Sequence, residues 1–309
     1  MPTPAEKNRL ILRLKEFVRL LDSPSIDAIL GEHSADGDSD VASQAFYGKL
    51  LFVAQRWEEA YRVLEAAWLR NPDERVLRDL EVAYWMLQTR DDLRGMQSGV
   101  ALSYLLAQPQ LHSVLDVGSG GGEHALQFAL AGKQVHCVDF GVSVYARQSK
   151  VLDQLADMSS VRRSIGDFME LQDVAKYDLV WCSHVLEHQP NANLFLKRCF
   201  DLVADEGWLA ITVPPLKHPI VGGHVSLWNA GLVLYQMVLA GNDCSDAVVM
   251  NYGYNISVLV RRRPIIVPAL EFDSGDIGRI SRFLPAGCSE GFDGRMVAFS
   301  GGKPQADSL

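Results

Sequence analysis

Two short stretches hold most of the residues that could do chemistry. The first is Leu115-Asp116-Val117-Gly118-Ser119-Gly120-Gly121-Gly122-Glu123, which joins a β-rich run to a helical one. A glycine turn at such a junction lets a ligand reach the backbone with no Cβ atoms in the way, and the helix start behind it offers unpaired amide donors. The chemistry implied is the binding of a nucleoside ligand. A dinucleotide fingerprint counted from Gly118 would need glycine where Glu123 stands, so a nicotinamide or flavin redox enzyme is disfavoured. The second stretch holds His184, Glu187, His188, His218 and His224, five titratable side chains within about forty residues. Groups of this kind move protons or bind metals.

These residues need a scaffold that brings strand ends together. Short β-rich runs at Ser113–Val117, Gln134–Asp139, Val161–Ile165, Tyr177–Cys182 and Trp208–Val213 alternate with helical stretches, the pattern of a parallel sheet covered on both faces. A helix over Asn229–Leu239 precedes two further strand-like runs, Ala247–Tyr252 and Ile256–Arg261, which read as a closing hairpin. The histidines and Glu187 follow the fourth and fifth runs, at the carboxyl edge where sites open in such sheets. Before Leu106 the periodicity is helical throughout.

Three parts follow: a helical region over 1–106, a catalytic domain over 107–261 with an insertion at about 215–245, and an extension over 262–309 with a disordered tail from about 301. Within the first part, Gly48, Ala60, Ala67 and Pro72, with Trp57 opening the second helix, resemble one tetratricopeptide repeat over about 41–74. One repeat cannot bury its own face, so it is expected to pack as a helical cap, with a partner-binding groove as the rival reading.

Composition removes several classes. With 309 residues, 48% hydrophobic and 22% charged, the chain is a folded globular protein rather than a disordered or fibrous one. A net charge of -9 argues against nucleic acid or anionic lipid as a partner, the run Arg261-Arg262-Arg263 being the main exception. The five cysteines show no CxxC spacing and read as reduced thiols in a cytoplasmic protein; no segment has the length and apolarity of a membrane span.

The run Asp-x-Gly-x-Gly-x-Gly at Asp116, Gly118, Gly120 and Gly122 resembles the class I S-adenosylmethionine-dependent methyltransferases, in particular the ubiquinone-pathway and small-molecule O-methyltransferase group. Asp139, Gly166-Asp167-Phe168, and the segment Tyr177 to His188 with its Leu-Glu-His turn fall in that family's order, over roughly Asp92 to Arg261. The resemblance implies a Rossmann-like, doubly wound, mostly parallel seven-stranded α/β sheet with a helical N-terminal region. It implies S-adenosylmethionine bound by Asp116, Gly118, Ser119, Gly120, Gly122, Asp139, Phe140, Asp167, Phe168 and Cys182. In it, Asp139 takes the ribose hydroxyls, Asp167 the adenine amino group, Phe168 flanks the ring, and Asp116 sits beneath the turn.

Ubiquinone-pathway enzymes carry Glu-x-x-Glu-His at the turn, a set implicated in holding a divalent metal. The matching positions are His184, Glu187 and His188, where two imidazoles and one carboxylate suit zinc better than magnesium. His184 and His224 are the rival general bases. The family's lid after the fifth strand would place Trp228 over the acceptor or in the core. The expected activity is methyl transfer to an oxygen of a small-molecule or saccharide-like acceptor. The alternative is a partner-recruiting protein acting through the N-terminal helices, with a cofactor-binding but inactive fold. A nucleic-acid base methyltransferase is disfavoured because no Asn/Asp-Pro-Pro-Tyr/Phe follows the fourth strand.

Overall fold

The computed structural model describes residues 41–172, 175–217 and 219–292. They fall into two compact units, which divide between Gln88 and Thr89.

The first unit contains α1 (Val41–Val53), α2 (Trp57–Arg70) and α3 (Glu74–Gln88). Leu50, Leu51, Ala60, Leu64, Ala67, Leu80 and Ala83 form its core. Small residues allow the helices to approach: a Cβ added at Gly48 would lie 2.7 Å from the Leu64 side chain. Trp57 packs edge-on against Phe52 at 5.2 Å, and Lys49 pairs with Asp79 at 2.8 Å.

The second unit is built on α4 (Gly99–Leu106), β1 (Ser113–Val117), α5 (Glu123–Leu130), β2 (Gln134–Asp139), α6 (Val144–Gln148), α7 (Val151–Ala156), β3 (Val161–Ile165), β4 (Tyr177–Ser183), α8 (Ala192–Leu202), β5 (Val203–Val213), α9 (Ala230–Leu239), β6 (Val248–Tyr252), β7 (Asn255–Arg261) and α10 (Asp276–Ile280). The strands form one seven-stranded sheet in the order β3-β2-β1-β4-β5-β7-β6. All neighbours are parallel except β7, which runs antiparallel to β5 and β6. The expected doubly wound sheet with its closing hairpin is therefore present. Strand order reverses between β1 and β4, which places the switch-point crevice at their carboxyl ends.

Burial explains the strand texture. Val114 to Val117 and Leu179 to Cys182 are buried, as central parallel strands covered by helices require, whereas the edge strand β3 exposes Arg162 and Arg163. Trp181 and Trp208 are the largest buried side chains of the sheet. Asn191 and Asn229 cap α8 and α9 by accepting the Leu194 and Leu232 N–H groups at 3.1 and 2.8 Å.

Several boundaries differ from the sequence expectation. The helical region ends as a compact unit at Gln88 rather than Leu106, because α4 belongs to the sheet's unit: the Ala101 N–H donates to the Tyr252 hydroxyl at 3.3 Å. β5 begins at Val203, five residues before Trp208, with an irregular register opposite Tyr177 and Leu179. The extension after Arg261 contributes Ile280, Phe283 and Leu284 to the core, and its tail from 293 lies outside the described residues. The basic run is engaged locally: Arg261 covers the Trp208 ring at 4.0 Å, the Arg262 side chain donates to Phe200 O, and Arg263 pairs with Asp246 at 2.6 Å.

Candidate active site

The glycine turn leaves β1 and enters α5. Gly118 has φ +69°, and a Cβ there would lie 2.4 Å from Val185 Cγ2, so the turn after β4 rests directly against it. A Cβ at Gly120, where φ is +52°, would make only ordinary contacts, the nearest with Tyr145 Cβ at 3.9 Å, so the turn is uncrowded there. The Gly120 N–H donates to Asp139 Oδ2 at 3.0 Å, and the Gly141 N–H donates to Asp139 Oδ1 at 2.7 Å. Asp139, at the end of β2, thus ties the glycine turn to the loop before α6. Each carboxylate oxygen keeps a second lone pair with which to accept a ligand hydroxyl.

Asp116 lies two residues before the turn and is buried, and its Oδ2 has no hydrogen-bond partner. Burial, with the charges of Asp139 and Glu123 adding, pushes its carboxyl up to about 8. An orphaned buried acceptor of this kind is relieved by a cationic group. The uncrowded turn at Gly120, the spare acceptor capacity of Asp139 and the unpaired Asp116 Oδ2 together fit a nucleoside with a positively charged tail.

The remaining expected cofactor residues divide. Ser119 accepts the Gly122 N–H through its carbonyl at 2.8 Å, holding the turn closed. Phe140 is 59% exposed, and Val142, Tyr145 and Ile165 beside the β2 and β3 ends are exposed as well. Uncovered apolar side chains of this kind suit the flanking of a flat base. Asp167 Oδ1 accepts the Met169 N–H at 2.8 Å and caps a 3₁₀ turn. Phe168 is buried and packs against Phe195 of α8 at 5.3 Å. Cys182 is also buried, its sulfur 3.8 Å from Cys199 of α8. The side chains of Phe168 and Cys182 are thus accounted for by core packing.

The histidine cluster is assembled by the turn after β4 and the segment before α9. His184 has φ +56°, a conformation that costs a non-glycine residue about 1 kcal/mol or more. Its N–H is held by Thr212 O at 2.8 Å. Glu187 is fully buried, and its Oε1 lies 3.2 Å from His184 Nδ1 and 4.0 Å from His188 Nε2. His184 Nε2 is 3.0 Å from Asn255 Oδ1, and His188 Nδ1 is 2.7 Å from Gly223 O. The rings of His188 and His224 meet edge to face at 5.0 Å. Val225 N–H donates to Glu187 O at 2.9 Å and anchors the insertion to the turn. His218 lies outside the described residues.

Of the expected metal set of His184, Glu187 and His188, the structure brings the last two together with His224. Both ring nitrogens of His184 face side-chain oxygens, and the group whose donor atoms converge within 4.8 Å is Glu187, His188 and His224. Trp228 is 6% exposed and donates through Nε1 to Ser226 Oγ at 2.9 Å, the geometry of a core residue.

Sequence reasoning missed three residues. Ser98 is buried at φ +56°, its N–H donating to Asn255 Oδ1 at 3.2 Å and its hydroxyl 2.6 Å from Ser183 Oγ. Asn255, beginning β7, reads in sequence as a turn residue. His124 Nε2 meets Gln97 O at 2.8 Å, and Trp181 Nε1–H donates to His124 Nδ1 at 3.3 Å. Burial holds this imidazole below its ordinary range, and the two contacts make it the neutral Nε2–H form.

Residues 90–236 match the methyltransferase domain family. The matched residues, under half of the chain, run from before α4 into α9. The ubiquinone biosynthesis O-methyltransferase of Glaesserella parasuis serovar 5 is 31% identical over 104 residues, covering 32% of this chain and 44% of that protein. The protein of that name from Chromobacterium violaceum is 34% identical over 101 residues, covering 31% and 41%. The chain thus spans less than half the length of these curated relatives. A solved Burkholderia thailandensis 1,6-didemethyltoxoflavin-N1-methyltransferase, with its substrate and S-adenosylhomocysteine bound, is 20% identical, covers 67% of this chain and 90% of its own, and has a TM-score of 0.46. At that TM-score the likeness adds nothing to what the strand order already establishes. Among the described residues, no helix is long and apolar enough to cross a membrane.

Proposed function

We propose that this protein transfers a methyl group from S-adenosylmethionine to an oxygen of a small-molecule acceptor. The observation that carries the reading is Asp139, whose carboxylate is fixed by the Gly120 and Gly141 amides at the glycine turn. The similarity to O-methyltransferases, confined to part of the chain, favours oxygen as the acceptor atom.

S-adenosylmethionine, when bound, supplies an electrophilic methyl group on a sulfonium. The chain's own task is to hold both partners in line, since alignment accounts for much of the rate in a displacement of this kind. Asp139 orients the ribose through its spare lone pairs, and the apolar rim of Phe140, Tyr145 and Ile165 excludes water from the base. Asp116 offers its carboxyl to the cationic tail. An acceptor hydroxyl must lose its proton as it attacks, and the imidazoles of His188 and His224, 5.0 Å apart beside the insertion, are placed to receive it.

The test is incubation with methyl-labelled S-adenosylmethionine and a panel of hydroxylated small molecules. Transfer of label by the wild type and its loss in Asp139→Ala support the reading. Label that stays on the cofactor with every hydroxylated compound, yet moves to an amine or carbon acid, overturns the assignment of oxygen.

A further inference from the structure

Glu187 is 0% exposed, and neither of its carboxylate oxygens has a hydrogen-bond partner. A carboxylate so placed is costly unless a cation meets it. Two imidazoles approach it, His188 from the same 3₁₀ turn and His224 from the insertion, and one donor atom from each of the three residues lies within 4.8 Å of the others. The backbone prepares this meeting. The Val225 and Ser226 N–H groups donate to Glu187 O at 2.9 and 3.3 Å, and the His224 N–H donates to Val221 O at 3.1 Å. Gly223 has φ +80°, and a Cβ there would lie 3.1 Å from His188 Nδ1, so glycine lets the insertion close on the ring. The Gly223 carbonyl is 2.7 Å from His188 Nδ1 and can only accept, so Nδ1 carries the hydrogen and Nε2 keeps its lone pair, 4.0 Å from Glu187 Oε1. A ring with one nitrogen tied to a backbone carbonyl and the other bare has the outer support typical of metal-ligating histidines.

We propose that Glu187, His188 and His224 form a site for a divalent transition-metal ion of the zinc class, and that an ion held there blocks methyl transfer rather than assisting it. Two nitrogens and one oxygen suit zinc or cobalt, whereas magnesium and calcium take sets of oxygens. Donor atoms around one zinc ion stand about 3.3 Å apart, so loading draws the three atoms inward by about 1 Å. His188 is exposed and His224 partly so, which gives both rings room to turn and the ion a path from solvent. His184, whose Nε2 lies 3.0 Å from Asn255 Oδ1, stands outside the convergent set. The lone pairs an ion would take on His188 and His224 are those that the methyl-transfer reading gives to the acceptor's proton. The inhibitory consequence therefore rests on that reading, and the binding of the ion does not.

The test is titration of the full chain, freed of metals by chelation, with cobalt(II). The expected result is one ion per chain, visible ligand-field bands of a nitrogen and oxygen set without a sulfur charge-transfer band, displacement by zinc and indifference to magnesium. His224→Ala and Glu187→Gln should each weaken cobalt binding by more than about tenfold, since a ligand contributes at least what an outer support does. On the same samples, zinc should lower methyl transfer by about a hundredfold or more, the contribution of a positioned base, and a chelator should restore it. Absent ligand-field bands, bands that His224→Ala leaves unchanged, or a sulfur band overturn the site. Undiminished transfer by the zinc-loaded chain, or transfer that appears only with an ion, overturns the inhibitory role. Loss of both methyl transfer and heat with S-adenosylhomocysteine in the metal-free chain, with cobalt binding intact, would remove the methyl-transfer reading and the inhibitory role with it, and leave the site standing.

Discussion

Asp139 and Gly120 are joined by a 3.0 Å hydrogen bond from the glycine's N–H to the carboxylate, so the acid at the end of β2 shapes the turn that follows β1 before any ligand arrives. The same side chain holds Gly141 at 2.7 Å. One carboxylate therefore organises both walls of the crevice, and removing it releases both.

That double role predicts an asymmetry between two substitutions. Asp139→Ala releases two backbone amides and is expected to lower affinity for S-adenosylhomocysteine by more than tenfold. Asp139→Asn keeps an acceptor for one amide and should fall between it and the wild type. Equal affinities for the two variants, measured by equilibrium dialysis, would mean that the amides are indifferent to the carboxylate.

Gly118 tests the packing of the turn after β4. A methyl group there would sit 2.4 Å from Val185 Cγ2 on a backbone at φ +69°. Gly118→Ala should cost about 2–4 kcal/mol, combining overpacking with left-handed strain. Gly132→Ala, at φ +76° with nothing within 4 Å, carries the strain alone and should cost about 1 kcal/mol. In chemical denaturation, Val185→Ala should recover part of the first loss and none of the second.

Asp116 predicts a pH dependence of stability. Its folded-state carboxyl is raised to about 8 by burial, whereas in the unfolded chain it ionises near the ordinary carboxylate value. The folded state therefore holds a proton that the unfolded state has lost, and stability from this group falls as pH rises from about 4 towards 8. Asp116→Asn removes that slope. Thermal melts from pH 6 to pH 9 should show the wild type losing ground to the variant up to about pH 8, and parallel curves would contradict the assignment.

His188 predicts a separation of binding from turnover. His188→Gln should leave S-adenosylhomocysteine affinity within about twofold while reducing methyl transfer by roughly a hundredfold. Loss of binding to the same degree would instead make His188 part of the cofactor's support.

The sheet was largely legible in the sequence because each buried strand is a short, mostly apolar run, and the glycine turn because Gly118 to Gly122 stand out against a periodic background. What the sequence hid was which way side chains point. Phe168 and Cys182 sit at positions expected to meet a cofactor, yet both pack against α8. Trp228 lies in the insertion and packs inward. The division at Leu106 followed periodicity, but α4 is helical and still belongs to the sheet's unit. Hardest to see was the support of His184, since Ser98 and Asn255 meet across 157 positions and neither type in its local context signals a site. The approach of His224 to Glu187 and His188 has the same origin: contact across the insertion is tertiary.

We propose that a nucleoside sulfonium lies across the carboxyl ends of β1 and β2, held by Asp139 and the glycine turn. Calorimetric titration of the wild type with S-adenosylhomocysteine tests it most directly, with Asp139→Ala and a folded control, Gly132→Ala, run alongside. The account predicts one site per chain in the wild type and the control, with the heat abolished in Asp139→Ala. No heat in the wild type, or undiminished heat in Asp139→Ala, would contradict it.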